Sequence, residues 1–172
     1  MLPVEILFHL KFFAEMFRNL FTRYDEIDIA ITHWMARNGI FLLRLSIAVI
    51  FLWFGALKFF PGVSPAEALA GNSIELLSFG LVPAAVGLPI LALWECLIGA
   101  GMLVIRYMRF TILMLYVQMI GTFSPVILMP EVVFDAFPFN LTMEGQYILK
   151  NLIVISAALV IGATVRGGKL KA

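Results

Sequence analysis

Residues 39–60 read GIFLLRLSIAVIFLWFGALKFF, an apolar run carrying two charges, Arg44 and Lys58. A helix needs roughly 20 such residues to cross the ~30 Å hydrocarbon layer of a bilayer. Gly39–Phe60 meets that length, and it must be helical, because an isolated strand would leave its peptide groups unpaired in lipid. Three more segments of the same kind follow: Leu81–Ile105, Phe110–Met129 and Gly145–Val165. Between the second and third, Arg106–Arg109 leaves room only for a tight turn, so these two spans are antiparallel neighbours. The expected fold class is all-α, a four-helix transmembrane bundle at residues 39–172 preceded by an amphipathic interfacial helix within residues 1–38.

Composition agrees with lipid as the main solvent. The chain has 172 residues, 62% hydrophobic and 13% charged, and a mean hydropathy of +1.01; a soluble domain carries about 25% charged residues. A net charge of +1 excludes nucleic-acid binding through a general basic field. The single cysteine, Cys96, cannot form an internal disulfide, and no CxxC or metal-ligand spacing is present, so no metal site is expected. His9 and His33 lie outside the spans, which removes a bis-histidine haem inside the bilayer. Glu5, His9, Lys11 and Glu15 interrupt any apolar core of a signal peptide.

The charges outside the spans set the expected orientation. Arg106 and Arg109 lie between spans two and three, and Arg166, Lys169 and Lys171 follow span four. Lys11, Arg18, Arg23 and Arg37 precede span one, accompanied there by five acids, whereas the other two loops hold Glu67, Glu75, Glu131, Asp135 and Glu144 without a basic residue. By the positive-inside rule both termini are expected to face the cytoplasm.

In the leading segment, Ile6, Leu10, Phe13, Phe17, Leu20 and Phe21 recur at helical spacing opposite Glu5, His9, Glu15, Arg18, Asn19 and Thr22. Such a helix can lie in the interface or dock on a membrane-protein partner. A second amphipathic piece, Asp25–Ala36, is expected to end in a break at Asn38-Gly39. After span one, Pro61, Gly62 and Pro65 stop the helix, and Ser64–Phe79 reads as a short outer helix or a re-entrant segment. Pro89 and Pro125 are expected to kink spans two and three.

Charged and amide side chains at membrane depth are costly and mark function or helix pairing. Counting ~1.5 Å per residue from the span boundaries places Arg44 about 8 Å, Gln118 about 12 Å and Glu95 about 15 Å from the cytoplasmic edge. An Arg44–Glu95 pair joined by Gln118 is therefore the expected structural polar layer. A second layer, Lys58, Lys150 and Asn151, falls near the outer surface beside Thr122. Two lysines at one apolar mouth suit an anionic or carbonyl-bearing ligand, while the plainer reading has both snorkelling to the interface. The candidate ligand-binding set is Lys58, Glu95, Lys150 and Asn151; no nucleophile–base pair or cofactor fingerprint points to a catalytic residue.

Leu43–Pro61, LRLSIAVIFLWFGALKFFP, carries a family resemblance. With Phe51, Trp53, Gly55 and Leu57-Lys58-Phe59 it resembles span one of the DoxX-like membrane proteins, most closely the YkgB/RclC branch tied to reactive-chlorine resistance. Ala70, Asn72 and Ser73, Glu95 with Ile98-Gly99, Ser124-Pro125, and Gly145 with Ile148-Leu149-Lys150-Asn151 match further pieces of that pattern. The resemblance covers roughly Gly39 to Arg166; the leading 38 residues are longer, and the loop after span one shorter, than the family's usual form. It implies a small four-helix bacterial inner-membrane protein of a redox-stress branch but little chemistry, and the wider DoxX-like group, which includes subunits of a thiosulfate:quinone oxidoreductase, suggests a quinone-linked role with quinone as cofactor by analogy. The alternative is a non-catalytic accessory subunit of a larger membrane complex, held by the N-terminal helix.

Overall fold

The computed structural model describes residues 4–168, and before Phe21 the surroundings of only the Glu15, Met16 and Arg18 side chains. The expected apolar face at Ile6, Leu10, Phe13, Phe17 and Leu20 therefore lies outside the described side chains, as do Lys169 and Lys171. The fold is all-α. Helix α1 runs Val4–Leu57, α2 Glu67–Leu77, α3 Ala84–Leu103, α4 Met108–Phe123 and α7 Met143–Thr164, with one-turn helices α5 (Pro125–Leu128) and α6 (Pro130–Val133) before a small hairpin. That hairpin pairs β1 (Phe134–Ala136) antiparallel with β2 (Asn140–Leu141), and its short strands were not foreseen from the sequence.

Four helical stretches are long and apolar enough to cross a membrane: Phe21–Leu57, Ala84–Leu103, Ile105–Leu128 and Met143–Thr164. The chain is a multi-pass integral membrane protein. Its outward surface is apolar, with Trp53, Ile90, Phe110, Ile120 and Ile153 all more than half exposed, as lipid-facing side chains must be.

The chain divides into two compact units, Met1–Ile40 and Phe41–Ala172. The first is helical throughout its described part. The break expected at Asn38-Gly39 does not occur. Asn38 Nδ2 donates to the Trp34 carbonyl at 2.8 Å, one turn back, so the amide supports the helix instead of capping it.

The second unit holds the bundle. At one end Ile47, Ala48 and Phe51 of α1 meet Ile98 and Met102 of α3, Ile112, Leu115 and Met119 of α4, and Ala157, Ala158 and Ile161 of α7 in a closed core. Element ends are fixed by local chemistry. The Thr142 hydroxyl accepts from Gly145 N–H at 3.0 Å and so caps α7, and a carboxylate oxygen of Glu75 accepts from Ala84 N–H at 2.9 Å at the start of α3, where the helix dipole favours an anion. Pro125 lacks the N–H that would bond Gly121, and the Ser124 hydroxyl donates to that freed carbonyl at 2.7 Å. α4 accordingly stops at Phe123 and a new turn begins at Pro125, whereas α3 runs as one helix through Pro89.

Candidate functional site

The site forms along the seam between α1 and α3. These helices run antiparallel: Arg44 reaches Met102, Gly99 sits against Ala48 and Leu52, and Gly55 against Glu95 and Cys96. A Cβ on Gly99 would lie 2.9 Å from Leu52 N and 3.0 Å from the Ala48 carbonyl, and one on Gly55 3.1 Å from Cys96 N. Small residues thus let the two backbones approach closely, the usual means of joining helices in lipid.

The expected Arg44–Glu95 pair is not formed. Arg44 donates through Nε and Nη2 to the Met102 carbonyl at 2.9 and 2.7 Å. That carbonyl belongs to the last turn of α3, where carbonyls lack intrahelical partners and a cation is favoured. Glu95 instead pairs with Lys58, Nζ to Oε2 at 2.7 Å, and its Oε1 accepts from Gln118 Nε2 at 3.2 Å. The reason lies in register. Gly55 faces Glu95, which puts Lys58 three residues and Arg44 eleven residues from the level of Glu95, roughly 5 and 16 Å along the helix. Helical Cα–Cβ bonds lean toward the helix N-terminus, so Lys58 and Glu95, on antiparallel helices, lean toward each other.

Lys58 is therefore buried, its side chain 4% exposed, and it does not snorkel. Its ammonium also donates to the Phe54 carbonyl at 3.3 Å. An ammonium has three donors, so one remains unclaimed among the described residues. The pair is close to neutral as a unit, which matters for what it can receive: an anion would find no net positive charge beside it.

The Lys58–Glu95–Gln118 cluster forms part of the wall of a cavity of about 460 Å³, within the range of small-molecule sites. Phe51 and Phe54 of α1, Leu69, Ser73 and Ile74 of α2, Leu91 and Trp94 of α3, Thr122 of α4, and Tyr147 and Asn151 of α7 line the rest. The lining is mostly apolar with a few polar groups near one another. Several of these are already committed: Thr122 Oγ1 donates to the Gln118 carbonyl at 3.0 Å, Ser73 Oγ to Leu69 at 2.6 Å, and Asn151 Nδ2 to Tyr147 at 3.0 Å and Ile148 at 3.2 Å. What stays available is one Lys58 N–H, the second Gln118 N–H, the Gln118 and Asn151 amide oxygens, and the Tyr147 hydroxyl.

Of the four ligand-binding candidates, Lys58, Glu95 and Asn151 line this one cavity and Lys150 does not. Lys150 is exposed because the residue after it, Asn151, takes the inward-facing position on α7. Gln118, expected in one structural layer with Arg44 and Glu95, bonds Glu95 but lies beside Lys58 instead of Arg44. Tyr147 was missed, although it stands one helical turn before Asn151 and so shares its face. The wall from α2 was missed as well; Leu69, Ser73 and Ile74 repeat at helical spacing, but a short amphipathic stretch says nothing of what it covers.

The chain matches no protein-family model, no curated protein and no solved structure.

Proposed function

We propose that this chain is a DoxX-like inner-membrane protein that receives a neutral, apolar ligand with a carbonyl-bearing headgroup, quinone being the class, in a redox-stress role. The observation that supports this reading most is the Lys58–Glu95–Gln118 cluster in the wall of a largely apolar cavity. A quinone carbonyl is a neutral acceptor and takes a hydrogen bond from the unclaimed Lys58 or Gln118 donor. The aromatic and aliphatic lining takes the ring. Charge compensation of Lys58 by Glu95 disfavours an anionic ligand, since desolvating an anion beside a neutral pair recovers little. Both termini are taken as cytoplasmic from the distribution of Arg and Lys in the loops.

Titration of the detergent-purified protein with a short-chain quinone tests the reading. Saturable binding is expected for wild type, weakened about tenfold by Gln118→Leu, the loss of one hydrogen bond to a buried acceptor, and unchanged by Lys150→Met. Equal affinities for all three proteins would remove the site from consideration.

A further inference from the structure

The Met1–Ile40 unit presents an apolar stripe with no partner among the described residues. Tyr24 is 74% exposed, Ile27 61%, Ile31 50% and Trp34 53%. Phe21–Leu57 contains 37 residues, about 55 Å of helix at 1.5 Å per residue, whereas a span of the hydrocarbon uses roughly 20 residues. Asp25, Glu26 and Asp28 fall before the apolar run that starts at Gly39, and acids are costly at hydrocarbon depth.

The spacing of the stripe is the informative feature. Tyr24, Ile27, Ile31, Trp34 and Asn38 are separated by alternate steps of three and four, the a/d pattern of a coiled coil. In the sequence the same register runs back through Leu20, Phe17, Phe13 and Leu10, about four heptads in all, although Met16, Phe21 and Met35 at e and g positions widen the apolar stripe beyond the a/d seam. Asn38 takes an a position, where a lone amide fixes register. Arg23 takes a g position and Asp28 the following e position, which face each other between two parallel copies and carry opposite charge. Over residues 10–38 the acids Glu15, Asp25, Glu26 and Asp28 equal in number the bases Lys11, Arg18, Arg23 and Arg37, without the basic excess that holds a helix on an anionic membrane surface.

We propose that residues 10–38 form a parallel, in-register coiled coil with the same segment of a second copy of this chain. Two copies inserted in one membrane with one orientation present this segment from the same face, so only the parallel arrangement brings a to a and d to d. It does not depend on what the cavity binds.

Cysteine scanning in native membranes tests it, using full-length protein with Cys96→Ala as background. Under mild oxidation, Ile27→Cys and Ile31→Cys are expected to give disulfide-linked dimers at least fivefold above Thr22→Cys and Ile29→Cys on the far face. Arg23→Glu is expected to lower the Ile27→Cys yield, and adding Asp28→Arg to restore it. Uniform yields at all positions, or no dimer at Ile27 and Ile31, would overturn the proposal in favour of a lipid surface or an unrelated protein partner.

Discussion

Lys58 Nζ lies 2.7 Å from Glu95 Oε2 at the wall of an apolar cavity, and Gln118 holds the other carboxylate oxygen. Removing either charge alone strands its partner in a medium that cannot solvate it. Lys58→Met and Glu95→Leu are each expected to destabilise the folded protein by about 3–5 kcal/mol, and the double variant by less than either. A double-mutant cycle from denaturant unfolding in micelles measures this; additive losses would show that the two charges are not coupled.

Arg44 is expected to behave differently. Its two donors serve the Met102 carbonyl, so Arg44→Met leaves that helix end without its charge-assisted bond and costs about 1.5–3 kcal/mol. Arg44→Lys recovers part of the loss. A cycle between Arg44→Met and Glu95→Gln should give a coupling below about 0.5 kcal/mol, the level of residues that share no contact.

The seam between α1 and α3 depends on a missing Cβ. Gly99→Ala places a methyl against the backbone of Leu52 and Ala48, atoms that cannot turn aside, and is expected to cost about 1–3 kcal/mol. Gly121 has no heavy atom within 4 Å of its would-be Cβ, so Gly121→Ala should be neutral or stabilise by up to about 1 kcal/mol. Thermal unfolding of the two variants side by side decides the matter.

Thr142 both caps α7 through Gly145 N–H and donates to the Val132 carbonyl at 2.6 Å. Thr142→Ala is expected to destabilise by about 0.5–2 kcal/mol, with Thr142→Ser keeping most of the cap. Hydrogen exchange at the first turn of α7 reports it directly: faster exchange confined to that turn is the expected result.

Part of the molecule was legible in the chain and part was not. The four apolar runs were legible, because the length and composition needed to cross lipid are read residue by residue. Lys58, Glu95 and Asn151 stood out for the same reason, since each is a polar group set in such a run. Pairing was not legible. Arg44 and Lys58 share a face of α1, and the register against α3, which sets Gly55 opposite Glu95, decides that Lys58 takes Glu95 while Arg44 takes a helix end. Lys150 and Asn151 are adjacent, and the rotation of α7 that turns one inward and the other outward is set by packing of Ile148 and Ala158. The continuation of α1 through Asn38-Gly39 depends on a side-chain bond to Trp34 that competes with a cap, and composition does not say which prevails.

The central claim, that the cavity beside Lys58 and Glu95 receives a quinone-type headgroup, is tested most directly by photolabelling. An azido-quinone is irradiated with the purified protein and the labelled positions are mapped by mass spectrometry. We expect label on cavity residues from separate helices, such as Leu69 of α2 and Tyr147 of α7, displaced by excess unlabelled quinone. Label confined to outward-facing residues such as Ile120 and Ile153, with no displacement, would contradict it.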